Sequence, residues 1–288
     1  MNVIFDMETS DPDDALTLCF LAGHPIVKLR AVTITPGSKD QVGLVKHLLQ
    51  KLDRPDVLVG ARTIEHPKTC VSEFHYKWLG KIEPASALPA VEILKQAYQE
   101  FPDCVLLTGA ALHNPKNFFT QYPEVKIPLW VGQGGFAGEG VVPPELQLLK
   151  FSGLKTCPTF NFNGDVVGAK LLLSSPQVSR RLLVSKNVCH GVVYTSEMHE
   201  QVKPHKDNNP GIALIYQGMT VYLKKSLGKA FHDPLAACAM INPDICEFKE
   251  VELYREKGEW GSVLKEGTNT FISISVDFPE FIRTLVGL

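Results

Sequence analysis

The chain has 288 residues, 44% of them hydrophobic and 21% charged, with 29 Lys and Arg against 31 Asp and Glu. That length holds one large α/β domain or two ordinary ones, and the apolar fraction excludes a disordered chain. Balanced charge gives no basic excess to bind nucleic acid, and no apolar run reaches the roughly 18 residues of a membrane span.

Read in chain order, short apolar runs alternate with helical stretches. Val3-Ile4-Phe5 predicts a first strand, followed at once by an acidic cluster and then by a helix-compatible run from Ala15 to Ala22. Lys28 to Ile34 alternates as a second strand. Asp40 to Leu52 carries Val42, Val45, Leu48 and Leu49 at a helical period. Val57-Leu58-Val59 predicts a third strand, Pro89 to Phe101 a helix, and Cys104–Leu107 and Leu129–Gly132 two more strands. Asp165–Leu173 reads as helix, Arg181–Val184 as strand, and helix recurs within Gly211–Leu227 and over residues 231–240. Such alternation predicts an α/β fold: a single domain over residues 1–288, with an open, mostly parallel central sheet and helices on both faces. The N-terminus enters a strand without a basic or apolar leader, and the seven cysteines are scattered without a CxxC pair. Both features lead us to expect a cytoplasmic protein with reduced thiols and no cysteine-built zinc site.

Asp6, Glu8, Asp11, Asp13 and Asp14 put five carboxylates into nine residues just past the first strand. Ligand sites of open α/β sheets lie at that edge. Carboxylates so close repel one another unless a cation or hydrogen-bond donors compensate, and hard oxygen ligands at this density suit Ca²⁺ or Mg²⁺. An acidic helix start accounts for two or three of them. Three later segments are placed to join the cluster: Thr108 to Asn114 after a strand, Phe160 to Asp165 before a helix, and Phe231-His232-Asp233-Pro234 opening another.

The Asp-rich loop, the TG…LHN turn, the Gly-Gly loop with its later Phe-Asn segment, and the late His-Asp pair together resemble the inosine-uridine-preferring nucleoside hydrolase family. The matching segments run from Asp6 to Ala237. The resemblance implies one α/β domain with a Ca²⁺ at the bottom of the active site, and hydrolysis of the N-glycosidic bond of ribonucleosides. The family's DxDPGxDD motif is present with Glu8 for its second acid and one additional residue, so Glu8 or Asp11 takes that place. By this likeness Asp6, Glu8, Asp14 and Asp233 are expected metal ligands, with a backbone carbonyl at His113. Glu8 is the expected base, Asp13 and Asn161 hold the ribose, and His232 lies near the leaving base. Thr159 and Gly140 stand where the family has a glutamate and an asparagine, so two of the family's sugar contacts are expected to be missing or supplied elsewhere, by Glu139 or Asn163.

The residue types suit the chemistry. Cleaving an N-glycosidic bond builds positive charge on the ribose, which preorganised carboxylates stabilise. A carboxylate can take a proton from water, and the departing base needs a donor or a stacking partner. For that end of the substrate His75 and Trp78, from the aromatic segment Glu73–Leu79, join His232 as candidates; packing of an aromatic-rich helix accounts for that segment equally well.

Gly132-x-Gly134-x-x-Ala137 fits a dinucleotide fingerprint, but Gly140, Pro143 and Pro144 deny it the helix that would face a pyrophosphate. Two rival readings remain. Asp6-x-Glu8-x resembles the opening DxDxT of haloacid-dehalogenase-like phosphatases, in which Asp6 would be a phosphorylated nucleophile. A family member that binds nucleosides with little turnover is the other. The expected partner is a small nucleoside, with no nucleic acid and no membrane, and a homodimer or homotetramer is compatible with a large α/β enzyme.

Overall fold

The first strand extends from Asn2 to Met7 (β1) and is buried from Val3 onward, inside an eleven-stranded sheet. The computed structural model describes residues 1–288. On one side of β1 lie β2 (Lys28–Ile34), β3 (Leu58–Ala61) and β4 (Leu88–Pro89), all parallel. On the other side follow β5 (Val105–Thr108), β6 (Ile127–Gln133), β8 (Val178–Val184) and β13 (Thr270–Val276), again parallel. Antiparallel strands β11 (Cys246–Glu256), β12 (Glu259–Leu264) and β7 (Thr156–Cys157) complete that edge. A separate antiparallel pair joins β9 (Val193–Thr195) to β10 (Gly228–Ala230). The expected architecture holds, with one addition: the antiparallel C-terminal strands were not among the predicted elements.

The helices are α1 (Pro12–Gly23), α2 (Lys39–Lys51), α3 (Glu73–Leu79), α4 (Ala90–Glu100), α5 (His113–Gln121), α6 (Phe160–Gly164), α7 (Val166–Ser174), α8 (Lys186–Cys189), α9 (Ser196–Val202), α10 (Pro210–Leu223), α11 (His232–Ile241) and α12 (Phe278–Leu285). Alternation along β1 sorts them onto two faces. Val3, Phe5 and Met7 pack with residues of α1, α2, α10, α11 and α12. Ile4 packs with residues of α4, α5 and α7. Asp6 has the parity of Ile4, and its carboxylate indeed meets Asn114 of α5.

Two helices are buried almost all round, α1 from Asp13 to Ala22 and α11 from Asp233 to Met240. This explains why neither shows a polar stripe in the sequence. Helices α1 and α10 cross at Gly23 and Gly211, where a Cβ on Gly211 would overlap the carbonyl oxygen of Cys19. The crossing fixes α10, whose Tyr222 reaches the cleft described next. No helix is long and apolar enough to cross a membrane.

Candidate active site

The parallel register aligns Asp6 with Thr108, and Thr108 with Gly132, so β1, β5 and β6 end at one level. The loops beyond these ends surround a cleft of about 500 Å³, lined among others by Glu8, Asp13, Asp14, Gly109, Gln133, Asn161, Tyr222, His232 and Asp233. This is the carboxyl edge at which open α/β sheets bind ligands.

The local sequence builds the floor. Asp11 caps α1 by accepting from the amide of Asp13 at 3.4 Å, and Pro12 stands at the first helical turn where no amide is needed. Asp13 and Asp14 therefore occupy the first turn, where the helix end favours negative charge. Helix α11 brings Asp233 to the same point from the far end of the chain, and the Asp233 amide donates to Asp13 Oδ2 at 3.3 Å. Asp13, Asp14 and Asp233 are buried, and each places a carboxylate oxygen within 4.8 Å of the others. The Glu8 amide donates to Asp14 Oδ1 at 3.0 Å, which brings the β1 loop onto the cluster.

Gly109 explains the Thr-Gly turn. A Cβ there would lie 2.8 Å from Asp233 Cγ, so only glycine lets the turn pass the carboxylate. Asn161 Nδ2 donates to the carbonyls of Gly109 and Gln133 at 3.0 Å each, and to Gln133 Oε1 at 2.8 Å. Its amide nitrogen is committed to protein, so the oxygen is what it offers a ligand.

Like charge in a dry site shows in the titrations. Burial, followed by Asp233, Asp13 and Glu8, holds Asp14 well above the carboxylate range. Burial and Asp13 do the same to Asp233. Asp13 is pushed up to about 7 by burial, although Lys229 opposes the shift. Lys229 is buried on β10, with Nζ 2.7 Å from Asp11 and 3.3 Å from Asp13. This one ammonium compensates one end of the cluster and leaves Asp14 and Asp233 without a salt-bridge partner. A buried set of hard oxygen donors short of positive charge fits a divalent cation.

The other expected residues divide between the cleft and its surroundings. Glu8, half-buried, and His232 line the cleft with Asp13, Asp14, Asn161 and Asp233. His232 is pushed down to about 4 by burial and by Lys229, so it is neutral at pH 7. Asp6 lies beneath, fully buried. Its Oδ1 accepts from Thr33 at 2.6 Å and Asn114 at 2.8 Å, and its Oδ2 has no partner. A carboxylate enclosed in this way cannot attack a phosphate, which removes the phosphatase reading. Asp11, the alternative second acid, also lines the cleft, but its carboxylate is engaged by Lys229.

The remaining candidates lie elsewhere. The His113 imidazole pairs with Asp165 at 2.7 Å, and His113 is not among the cleft-lining residues. Asn163 accepts from the indole of Trp260 at 2.9 Å and donates to the carbonyl of Gly258 at 3.1 Å, and it is not among the cleft-lining residues. Glu139 is exposed in a separate depression with Gly140 and Pro143. His75 is buried against Ser72, 2.9 Å from its hydroxyl, and Trp78 packs over Gly218 of α10. For Glu73–Leu79, helix packing is therefore what the structure shows, and α3 meets the site's Tyr222 through the Phe74 ring. The Gly132–Ala137 loop is followed by no α-helix before Phe160, so the dinucleotide motif is absent. Gln133, Tyr222 and Lys229 are the site residues that sequence reading did not single out.

Comparison with known proteins gives the same answer as the geometry. The family model for inosine-uridine preferring nucleoside hydrolase matches residues 3–283. A protein of Aquifex aeolicus (strain VF5), itself uncharacterized, is 31% identical over 290 residues, covering 95% of this chain and 94% of its own. The fold is that of solved nucleoside hydrolases. The purine-preferring ribonucleoside hydrolase of Gardnerella vaginalis superposes with a TM-score of 0.71 at 16% identity, over 100% of this chain and 98% of that one. The inosine-uridine preferring enzyme of Bacillus anthracis gives 0.72 at 16% identity, over 99% of each chain. An inosine-guanosine nucleoside hydrolase gives 0.73 at 16%, over 99% of this chain and 97% of that one. The chain therefore belongs to the inosine-uridine preferring nucleoside hydrolases, which hydrolyse the N-glycosyl bond of nucleosides.

Proposed function

We propose that the protein is a cytoplasmic, calcium-dependent ribonucleoside hydrolase that releases free base and ribose. The observation that carries this reading is the meeting of Asp13, Asp14 and Asp233, from opposite ends of the chain, on the floor of a cleft also lined by Glu8, Asn161 and His232. Asp14, Asp233 and Glu8 would hold the cation. When bound, Ca²⁺ supplies positive charge that keeps these carboxylates ionised and orients oxygen ligands.

The chain's own residues do the rest. Glu8, whose carboxyl is raised by burial and by Asp11, is the base that takes a proton from the attacking water. Asp13 is held through both oxygens, by Lys229 and by the Asp233 amide, and accepts a ribose hydroxyl. The Asn161 oxygen accepts a second. The surrounding carboxylates stabilise charge that develops on the sugar ring. His232 faces the departing base as a neutral imidazole, so it helps by donating a hydrogen bond as charge builds on the base. A purine or a pyrimidine fits this scheme equally.

A screen of ribonucleosides for ribose release, with chelator and then with Ca²⁺ restored, tests the proposal. Release that is lost with chelator and regained with calcium is the expected result. Saturable nucleoside binding without release would favour the low-turnover reading. Full release in chelator would remove calcium from the scheme.

A further inference from the structure

Beside the carboxylates lies a second cluster of different chemical kind. Cys189, His190 and His232 each bring a potential ligand atom within 4.8 Å of the others. The Cys189 sulfur is buried and takes a hydrogen bond from Gln133 Nε2 at 3.3 Å. The two imidazoles stack, with centroids 4.7 Å apart and planes inclined by 23°. His232 Nε2 is buried and has no partner. Gln133 and His232 both line the cleft, so a small ion can reach the cluster through it.

The donors are in the form a metal needs, or one proton away from it. The two imidazoles stack on one another and His190 faces the Lys150 ammonium, surroundings in which a ring keeps a lone pair rather than taking a second proton. Neutral imidazole is the ligating form. Lys150 Nζ lies 2.8 Å from His190 Nδ1. An ammonium only donates, so that nitrogen bears a lone pair already facing a cation. Lys150 is exposed and can swing away when another cation arrives. Cys189 is a thiol in the metal-free protein, since burial pushes it up to about 12. Forming the sulfur–metal bond breaks S–H and releases the proton to solvent. Gln133 then steadies the thiolate as an outer hydrogen-bond donor.

One sulfur and two nitrogens suit a borderline-soft divalent ion, whereas the oxygen-only floor suits a hard one. We infer that Cys189, His190 and His232 form a second metal site, for a divalent cation of the zinc type. Its occupation withdraws the His232 imidazole from the cleft and switches hydrolysis off. The switch rests on the function proposed above; the site itself does not.

Co²⁺ is the probe for binding. The full-length protein, with Ca²⁺ in excess to fill the oxygen site, is titrated with Co²⁺ and followed by thiolate-to-cobalt charge-transfer absorption. The expected result is one equivalent of thiolate-bound cobalt, displaced by Zn²⁺. Cys189→Ser should abolish the band, and His190→Asn should weaken cobalt binding by at least tenfold, with native melting curves in both. No thiolate band in the wild-type protein, or a band that survives Cys189→Ser, overturns the site whether or not the protein is active. For the switch, Zn²⁺ should stop ribose release by the wild-type enzyme and spare Cys189→Ser. Equal inhibition of the two would place the zinc on the carboxylates and overturn the switch.

Discussion

Adjacent residues His232 and Asp233 should fail in different ways when removed. Asp233 faces Asp13 and Asp14, so Asp233→Ala should lose calcium and activity together. His232→Ala should keep its calcium and lose rate according to the leaving group. Proton or hydrogen-bond assistance is worth roughly 10²–10⁴ in rate, so a natural nucleoside should suffer by such a factor and a nitrophenyl riboside far less. Equal small losses on both substrates would show that the ring merely packs at the start of α11. Asp13 and Asn161 give a second expectation at this scale. A site built to bond a hydroxyl leaves its own polar groups unpaired without it, so 2′-deoxynucleosides should react up to ~10⁴ more slowly. Comparable rates on both sugars would misplace the ribose. Gly109 is a third case, since it touches the cation's ligands without being one. Gly109→Ala should push the Asp233 carboxylate aside and weaken metal binding by about 10–100-fold, the usual range for groups supporting a ligand. Calcium titration of that variant reads the effect directly.

Among the elements, the parallel strands were legible because strands buried on both faces are short apolar runs. KLRAVTI is found as β2 from Lys28 to Ile34, and Val3-Ile4-Phe5 forms the heart of β1. The C-terminal strands were not. Cys246–Glu256 carries Glu247, Lys249, Glu250, Glu252, Arg255 and Glu256, and is only partly buried, because its antiparallel neighbours leave much of it near solvent. The acidic floor was legible because Glu8, Asp11, Asp13 and Asp14 follow one strand within seven residues and the His-Asp pair opens a helix. Lys229, Gln133 and Tyr222 carry no local signal. A buried lysine is recognisable only once β10 sets it between Asp11 and Asp13, and Gln133 only once β6 ends beside β5. His75 and Trp78 show the limit from the other side, since an aromatic helix face reads alike whether it meets a substrate or packs inside the fold, as Trp78 does on α10 and His75 does against Ser72. The α1–α10 crossing offers a test at this level. Gly211→Ala puts a methyl group against the Cys19 carbonyl and must move one helix, at a cost of about 1–3 kcal/mol. Denaturant unfolding should show that loss, and an unchanged midpoint would mean the crossing can open freely.

For the molecule as a whole, the buried acids and histidines make stability depend on pH in a way that calcium should reverse. In the metal-free fold Asp6 and Asp13 titrate near 7, raised mainly by burial; Asp14 is held well above the carboxylate range by burial and by Asp233, and Asp233 by burial and by Asp13. In the unfolded chain such groups titrate near 3.9, so between about 4 and 7 the fold holds protons that the unfolded chain has released. Their contribution is complete at low pH and is lost as pH rises through 7. His75 and His232 act in the opposite sense. Burial holds both near 4, so their contribution is complete above the unfolded value of about 6.5 and is lost as pH falls through 4. The metal-free protein should therefore be most stable in weak acid and weaken towards pH 8. A divalent cation binds the ionised carboxylates, releases their protons and binds more tightly as pH rises. At 100 times its dissociation constant it adds about 2.7 kcal/mol by mass action, and the excess grows as affinity grows. Melting curves at pH 6, 7 and 8, with chelator and with Ca²⁺, should show a gap that widens with pH. A gap that stays constant or narrows would mean that the carboxylates on the cleft floor are not the groups that hold the ion.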